Sequence, residues 1–103
     1  MDDVDLTMVM MRFEAADVEG LLTVLSRYVV VSRSHSGCRN IDLAISATSP
    51  GTVVVIQKWV SPEAQRAHFD STEMVAMAEA CGGLLRSAPQ IDLLDPVSAH
   101  DLG

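Results

Sequence analysis

Three histidines, two cysteines and four aromatic side chains carry most of the chemistry this chain can offer. His68 is the only histidine on a predicted regular element. An imidazole titrates near neutrality, so it can take up or release a proton at physiological pH. His35 and Cys38 have a metal-like HxxC spacing. Two ligands do not make a zinc site, which needs three or four, so the residues read as a loop histidine beside a buried structural cysteine. His100 falls in the tail. Among the aromatics Phe13, Tyr28, Trp59 and Phe69, Trp59 offers a flat face and one N–H donor. No GxGxxG, Walker A, HExxH or GxSxG pattern is present, which argues against nucleotide binding, zinc hydrolysis and α/β-hydrolase chemistry.

The elements that must position these residues follow from periodicity. Residues 5–13 alternate, with Leu6, Met8, Met10 and Arg12 on one strand face and Val9, Met11 and Phe13 on the other. Asp17 is an N-cap for a helix that carries Val18, Leu21, Leu22, Leu25, Val29 and Ser32 at helical spacing. Residues 38–47 and 52–60 read as two strands of a hairpin, joined by the turn Thr48-Ser49-Pro50-Gly51. Ser61-Pro62-Glu63 starts a short helix that runs to about Phe69. A further helix is expected from Glu73, with Met74, Met77, Ala78 and Cys81 inward. Leu84 and Leu85 would continue its apolar face beyond Gly82-Gly83. Pro89 stops it, and residues 90–95 form a last strand. The order β-α-β-β-α-β predicts an α+β, ferredoxin-like antiparallel sheet with its helices on one face.

The chain has 103 residues, 49% of them hydrophobic and 20% charged. That composition excludes intrinsic disorder and fits one domain over residues 1–103, with a core over about 5–95 and a tail over 96–103. Seven basic residues against fourteen acidic ones give a net charge of −7. Nucleic acid is therefore not an expected partner, because phosphate contacts need clustered Lys and Arg. No apolar run approaches the roughly 18 residues of a membrane span, and the N-terminal Met1-Asp2-Asp3 is acidic where a signal peptide is basic. The expectation is a reduced, cytoplasmic protein with no membrane partner.

A sheet covered on one side needs only one apolar face. Here Val53, Val55 and Trp59 share one face of their strand while Val54 and Ile56 share the other, and the first strand is apolar on both sides. The second face needs a cover. A second copy, packed sheet against sheet about a two-fold axis, is the expected partner.

The segment Trp59-Val-Ser-Pro-Glu-Ala-Gln-Arg-Ala-His68, with Gly37-Cys38-Arg-Asn-Ile-Asp-Leu43 upstream, resembles the antibiotic biosynthesis monooxygenase family. The resemblance follows the element order over roughly residues 5–95. It implies a dimeric α+β barrel, built from two ferredoxin-like units joined by their sheets. The chain departs from the family pattern where Ile41 replaces a frequent Tyr and Gln57 replaces a frequent acidic residue, changes that alter pocket polarity. The haem-ligating histidine of haem-degrading relatives would fall near Ala78, so haem is not expected.

What the resemblance implies is oxygenation without a cofactor of a small hydrophobic or aromatic, polyketide- or quinol-like metabolite. Such an enzyme deprotonates a phenol or enol and holds the resulting anion near O₂ in a dry site. In that reading His68 is the base and Trp59 a wall for the ring. Asn40 and Tyr28 bind substrate oxygens, Arg12 stabilises an enolate, and Leu22, Leu25 and Met74 line the pocket. No metal site is expected. The residues also admit plainer roles: His68 fixing a helix–helix junction, Trp59 as core or interface, and the methionines as packing. An isomerase on the same fold and a non-catalytic ligand-binding dimer stay open beside the oxygenase.

Overall fold

A computed structural model describes residues 6–97. Asp5, placed above in the first strand, residues 98–103 of the tail and the N-terminal Met1-Asp2-Asp3 lie outside the described residues. The elements are β1 (Thr7–Glu14), α1 (Val18–Ser32), β2 (Cys38–Ile45), β3 (Thr52–Trp59), α2 (Pro62–Phe69), α3 (Thr72–Ala80) and β4 (Gln90–Leu94). The four strands form one antiparallel sheet in the order β2-β3-β1-β4. This is the ferredoxin-like α+β arrangement that the element order predicted. No helix among the described residues is long and apolar enough to cross a membrane.

Strand alternation decides which side the helices cover. Val9, Met11 and Phe13 of β1, Ile41 of β2 and Val53, Val55, Gln57 and Trp59 of β3 are buried beneath them. Leu21, Leu25, Tyr28 and Val29 of α1 and Met74 and Met77 of α3 close the core from above. The opposite sheet face carries Met8, Met10, Val54 and Ile56, all half-buried, with Met10 paired across to Ile56. Arg12 is exposed on that same side. The sheet therefore has two apolar faces, of which the helices cover one.

Local signals set the helix starts. The Asp17 carboxylate accepts from the Gly20 N–H at 3.0 Å and starts α1 at Val18. Ser61 caps α2 through the Ala64 N–H, and Ser71 caps α3 through the Met74 N–H. The β-branched run Val29-Val30-Val31 stays helical, as its period predicted. The loop between α1 and β2 is held against α2. Gly37 has φ +87°, and a Cβ there would lie 2.6 Å from the Ala64 Cβ, so only glycine fits both the backbone and the contact.

One expectation is corrected. The last helix ends at Ala80 instead of continuing its apolar face through Leu84 and Leu85. Cys81 caps it, Gly83 takes φ +84°, and the chain leaves to add a short bridge between Leu85 and Ala15. The Leu84 carbonyl accepts from the Ala16 N–H at 2.8 Å, and the Arg86 N–H donates to the Glu14 carbonyl at 2.8 Å. Two adjacent glycines lose too much entropy as helix, and the bridge satisfies the backbone groups that a helix would have satisfied.

Candidate functional site

Four elements converge on one buried polar cluster. The alternation of β3 turns Gln57 and Trp59 toward the helices, and both are fully buried. The helical spacing of α1 places Tyr28 one turn after Leu25 on the inward face. The Ser61-Pro62 start turns the chain directly from β3 into α2, so that His68, nine positions after Trp59, returns over the same strand end. Met74 comes from α3.

The cluster is a continuous hydrogen-bonded chain. The Trp59 indole N–H donates to Gln57 Oε1 at 2.9 Å. Gln57 Nε2 donates to Tyr28 Oη at 2.6 Å. Tyr28 Oη lies 2.7 Å from His68 Nε2, and the Met74 sulfur is 3.7 Å from the same hydroxyl. The His68 ring stacks on Trp59, with centroids 4.6 Å apart. His35 meets the His68 ring edge-on at 5.1 Å and places its Nε2 3.1 Å from a Glu73 carboxylate oxygen. His68 Nδ1 is buried with no hydrogen-bond partner.

Burial sets the charge state. Desolvation, reinforced by nearby His35 and opposed by Glu73, lowers the His68 pKa from 6.5 to about 4. Burial raises the Tyr28 phenol to about 12, offset in part by the hydrogen bond from Gln57. At neutral pH both rings are uncharged: a tyrosine that keeps its proton beside a histidine with room to accept one. Both shifts favour the neutral form, so the two rings meet as an uncharged hydrogen-bonded pair.

An open cleft of about 270 Å³ separates α1 from α3, walled by Val24, Arg27, Tyr28, Glu73, Ala76 and Met77. It is mostly apolar, just below the usual size range of ligand pockets, and Tyr28 is the member of the buried chain that borders it. A second cavity of about 200 Å³ lies on the β4 side, bordered by Met11, Phe13, Met74, Cys81 and Ile91.

The structure thus brings together His68, Trp59, Tyr28 and Met74 of the residues singled out in the sequence. It does not bring Arg12 and Asn40 to them. Arg12 points to the far side of the sheet and pairs with Glu14 at 3.2 Å, while exposed Asn40 donates to Asp42 at 2.9 Å. A substrate wall lined by Trp59, Leu22 and Leu25 is not what forms. Trp59 and Leu25 are wholly packed into the core and Leu22 packs partly against it, and the Trp59 N–H is already committed to Gln57. Three residues of the cluster and its edge were not singled out as site residues: Gln57, His35 and Glu73. Gln57 had a legible signal, since it stands two positions before Trp59 on the same strand face. His35 and Glu73 had none, because only the fold brings a loop and α3 together. Among the described residues there is no group of three or more His, Cys, Asp or Glu able to hold a metal.

The sequence matches the family profile described as antibiotic biosynthesis monooxygenase over residues 6–80. No curated protein is significantly similar in sequence. Solved structures are. Rv0793 from Mycobacterium tuberculosis superposes with a TM-score of 0.87 at 24% identity, over 94% of this chain and 100% of that one. SnoaB, a cofactor-independent oxygenase from Streptomyces nogalater, superposes with a TM-score of 0.80 at 18% identity, over 91% of this chain and 95% of that one. A conserved protein from Methanosarcina mazei gives 0.84 at 11% identity, over 89% and 93%. At these identities the likeness is one of fold.

Proposed function

Because this chain belongs to the antibiotic biosynthesis monooxygenase family, we propose that it is a cofactor-independent monooxygenase of a small aromatic, polyketide- or quinol-like substrate. The observation that carries the reading is the Tyr28–His68 pair. Tyr28 borders the cleft, and behind it stands a buried imidazole that is neutral at pH 7. SnoaB, a cofactor-independent oxygenase of the same fold, supports the same reaction class.

In this reading the ring seats in the cleft between α1 and α3 with a hydroxyl against Tyr28. Its proton passes to the Tyr28–His68 pair, and the anion so formed reduces O₂. For a substrate with an activated ring methylene the balance is one O₂ in, a ring carbonyl and one water out. All the electrons come from the substrate, so no external reductant is required. The apolar part of the wall, Val24, Ala76 and Met77, leaves the anion fewer water contacts than it has in bulk, which raises its reducing power. Trp59 and Gln57 hold the pair in place, and Arg27 at the cleft edge offers a charge to an anionic ring oxygen.

We propose a dimer through the open sheet face, where Met8, Met10, Val54 and Ile56 are apolar and no helix among the described residues lies over them. Oxygen consumption with a hydroxyanthrone-like substrate and no added flavin, haem or metal tests the reaction. A second reading, a ligand-binding dimer without turnover, is favoured by the depressed basicity of His68, which weakens it as a base. Saturable binding of the same compound with no oxygen uptake would select it.

A further inference from the structure

We propose that Gln57 is a positioning residue that fixes the direction of the buried hydrogen-bond chain, and so holds the neutral His68 ring as the tautomer protonated at Nδ1. Trp59 fixes one end of the chain. An indole nitrogen only donates, so the atom of Gln57 at 2.9 Å from Trp59 Nε1 is the carbonyl oxygen. That leaves the Gln57 amide NH₂, also a donor only, facing Tyr28 Oη at 2.6 Å. Tyr28 accepts there and its own proton must go elsewhere. The neighbouring Ser32 hydroxyl makes no hydrogen bond, and a thioether at 3.7 Å is a weak acceptor, whereas a ring nitrogen at 2.7 Å is a strong one. Tyr28 therefore donates to His68 Nε2. A neutral imidazole carries one proton, so it sits on Nδ1, the atom left buried without a partner.

The direction has a consequence for proton traffic. It rests on the reading that the cleft between α1 and α3 seats the substrate. The one lone pair of His68 able to take a proton is the one that Tyr28 covers. A proton leaving a ligand in the cleft enters at Tyr28 Oη while the tyrosine passes its own proton to Nε2. The tyrosine touches the ligand, and the histidine acts through it. Gln57 sets this order by presenting an N–H. A carboxylate in the same position would accept from both Trp59 and Tyr28. The Tyr28 proton would turn away from His68, the Nε2–H would donate to Tyr28, and Nδ1 would become the bare lone pair.

Two-bond proton–nitrogen correlation spectra of the ¹⁵N-histidine-labelled protein distinguish the two neutral tautomers at pH 7, without ligand or turnover. The folded protein is expected to show His68 protonated at Nδ1; a ring protonated at Nε2 overturns the proposal. Gln57→Leu removes the amide donor and should lower the Nδ1–H share. A share unchanged from the parent in a folded Gln57→Leu protein removes Gln57 from the role. Gln57→Glu, with its side-chain carboxyl followed by ¹³C, should move the proton to Nε2 as the carboxyl ionises. A tautomer that stays at Nδ1–H with the carboxyl ionised also overturns the proposal. These readouts hold whether or not the protein consumes oxygen, so failure of the oxygenase reading and failure of this one are separate results.

Discussion

The imidazole of His68 lies against the indole of Trp59, ring centroids 4.6 Å apart and planes inclined by 27°. A stacked pair of this kind excludes water from one face of the histidine while Tyr28 occupies its Nε2 edge. The residue is thus part of the core as well as a member of the proposed proton-handling pair. His68→Ala should cost about 2–4 kcal/mol of stability, from the unfilled volume and the stranded Tyr28 hydroxyl. Turnover per folded molecule should fall by roughly 10²–10⁴. Melting temperature and oxygen uptake on one preparation separate the two effects. A variant as stable and as active as the parent would remove His68 from both roles.

The pH dependence follows from the same burial. The folded His68 titrates at about 4 against an ordinary value of 6.5. Between those values the unfolded chain binds a proton that the folded one refuses, so stability falls as pH drops from about 6.5 toward 4 and this contribution levels off below. Urea midpoints measured at pH 7, 6 and 5 should decline, and His68→Gln should flatten that slope. The acid limb of the activity profile should likewise lie well below 6.5, because the base stays unprotonated until then. An acid limb at 6.5 would show that His68 titrates as if exposed.

Much of this was legible in the sequence, for reasons that differ by element. The N-cap at Asp17 and the Ser61-Pro62-Glu63 start are local chemistry, so α1 and α2 begin where the residues predict. Period-two alternation placed Trp59 inward and Arg12 and Asn40 on faces that only the finished sheet could orient. Which strand face the helices would choose was not readable from the Arg12 strand, since both its faces are apolar. The Gly82-Gly83 exit from α3 was missed because the competing partner, the end of β1 near Ala15, is far away in sequence. The His35–Glu73 contact was invisible for the same reason.

The cleft makes its own prediction. Ala76 is exposed, sits in the middle of α3 and borders the cleft opposite Tyr28 and Val24. Ala76→Phe should fill the space without disturbing the core, leaving the melting temperature within a few degrees of the parent. Binding of 1-naphthol, measured by titration calorimetry, should weaken roughly tenfold or more, a loss of about 1.4 kcal/mol or greater. Undiminished binding would place the ligand elsewhere, with the β4-side cavity bordered by Met74 and Cys81 next in line.

The last prediction concerns the uncovered sheet face. Met10 and Ile56 are direct cross-strand partners at its centre, flanked by Met8 and Val54. Arg12, Asp42 and Lys58 lie on the same side and fit the polar rim of an interface with an apolar middle. A stable interface buries roughly 1,200–2,000 Å² in total, which a sheet of four strands can supply only if its centre is included. The protein at micromolar concentration should therefore sediment at about twice 11.1 kDa. Ile56→Lys puts an unpaired charge at that centre. Burying such a charge costs several kcal/mol, enough to shift the equilibrium to monomer at the same concentration. In the monomer the lysine reaches water, so the helix-covered core, the Tyr28–His68 contact and the cleft are untouched by the substitution. Sedimentation equilibrium on both proteins decides the matter. A parent that is a clean monomer sinks the sheet-to-sheet model, and a dimer that survives Ile56→Lys unchanged moves the interface away from this face.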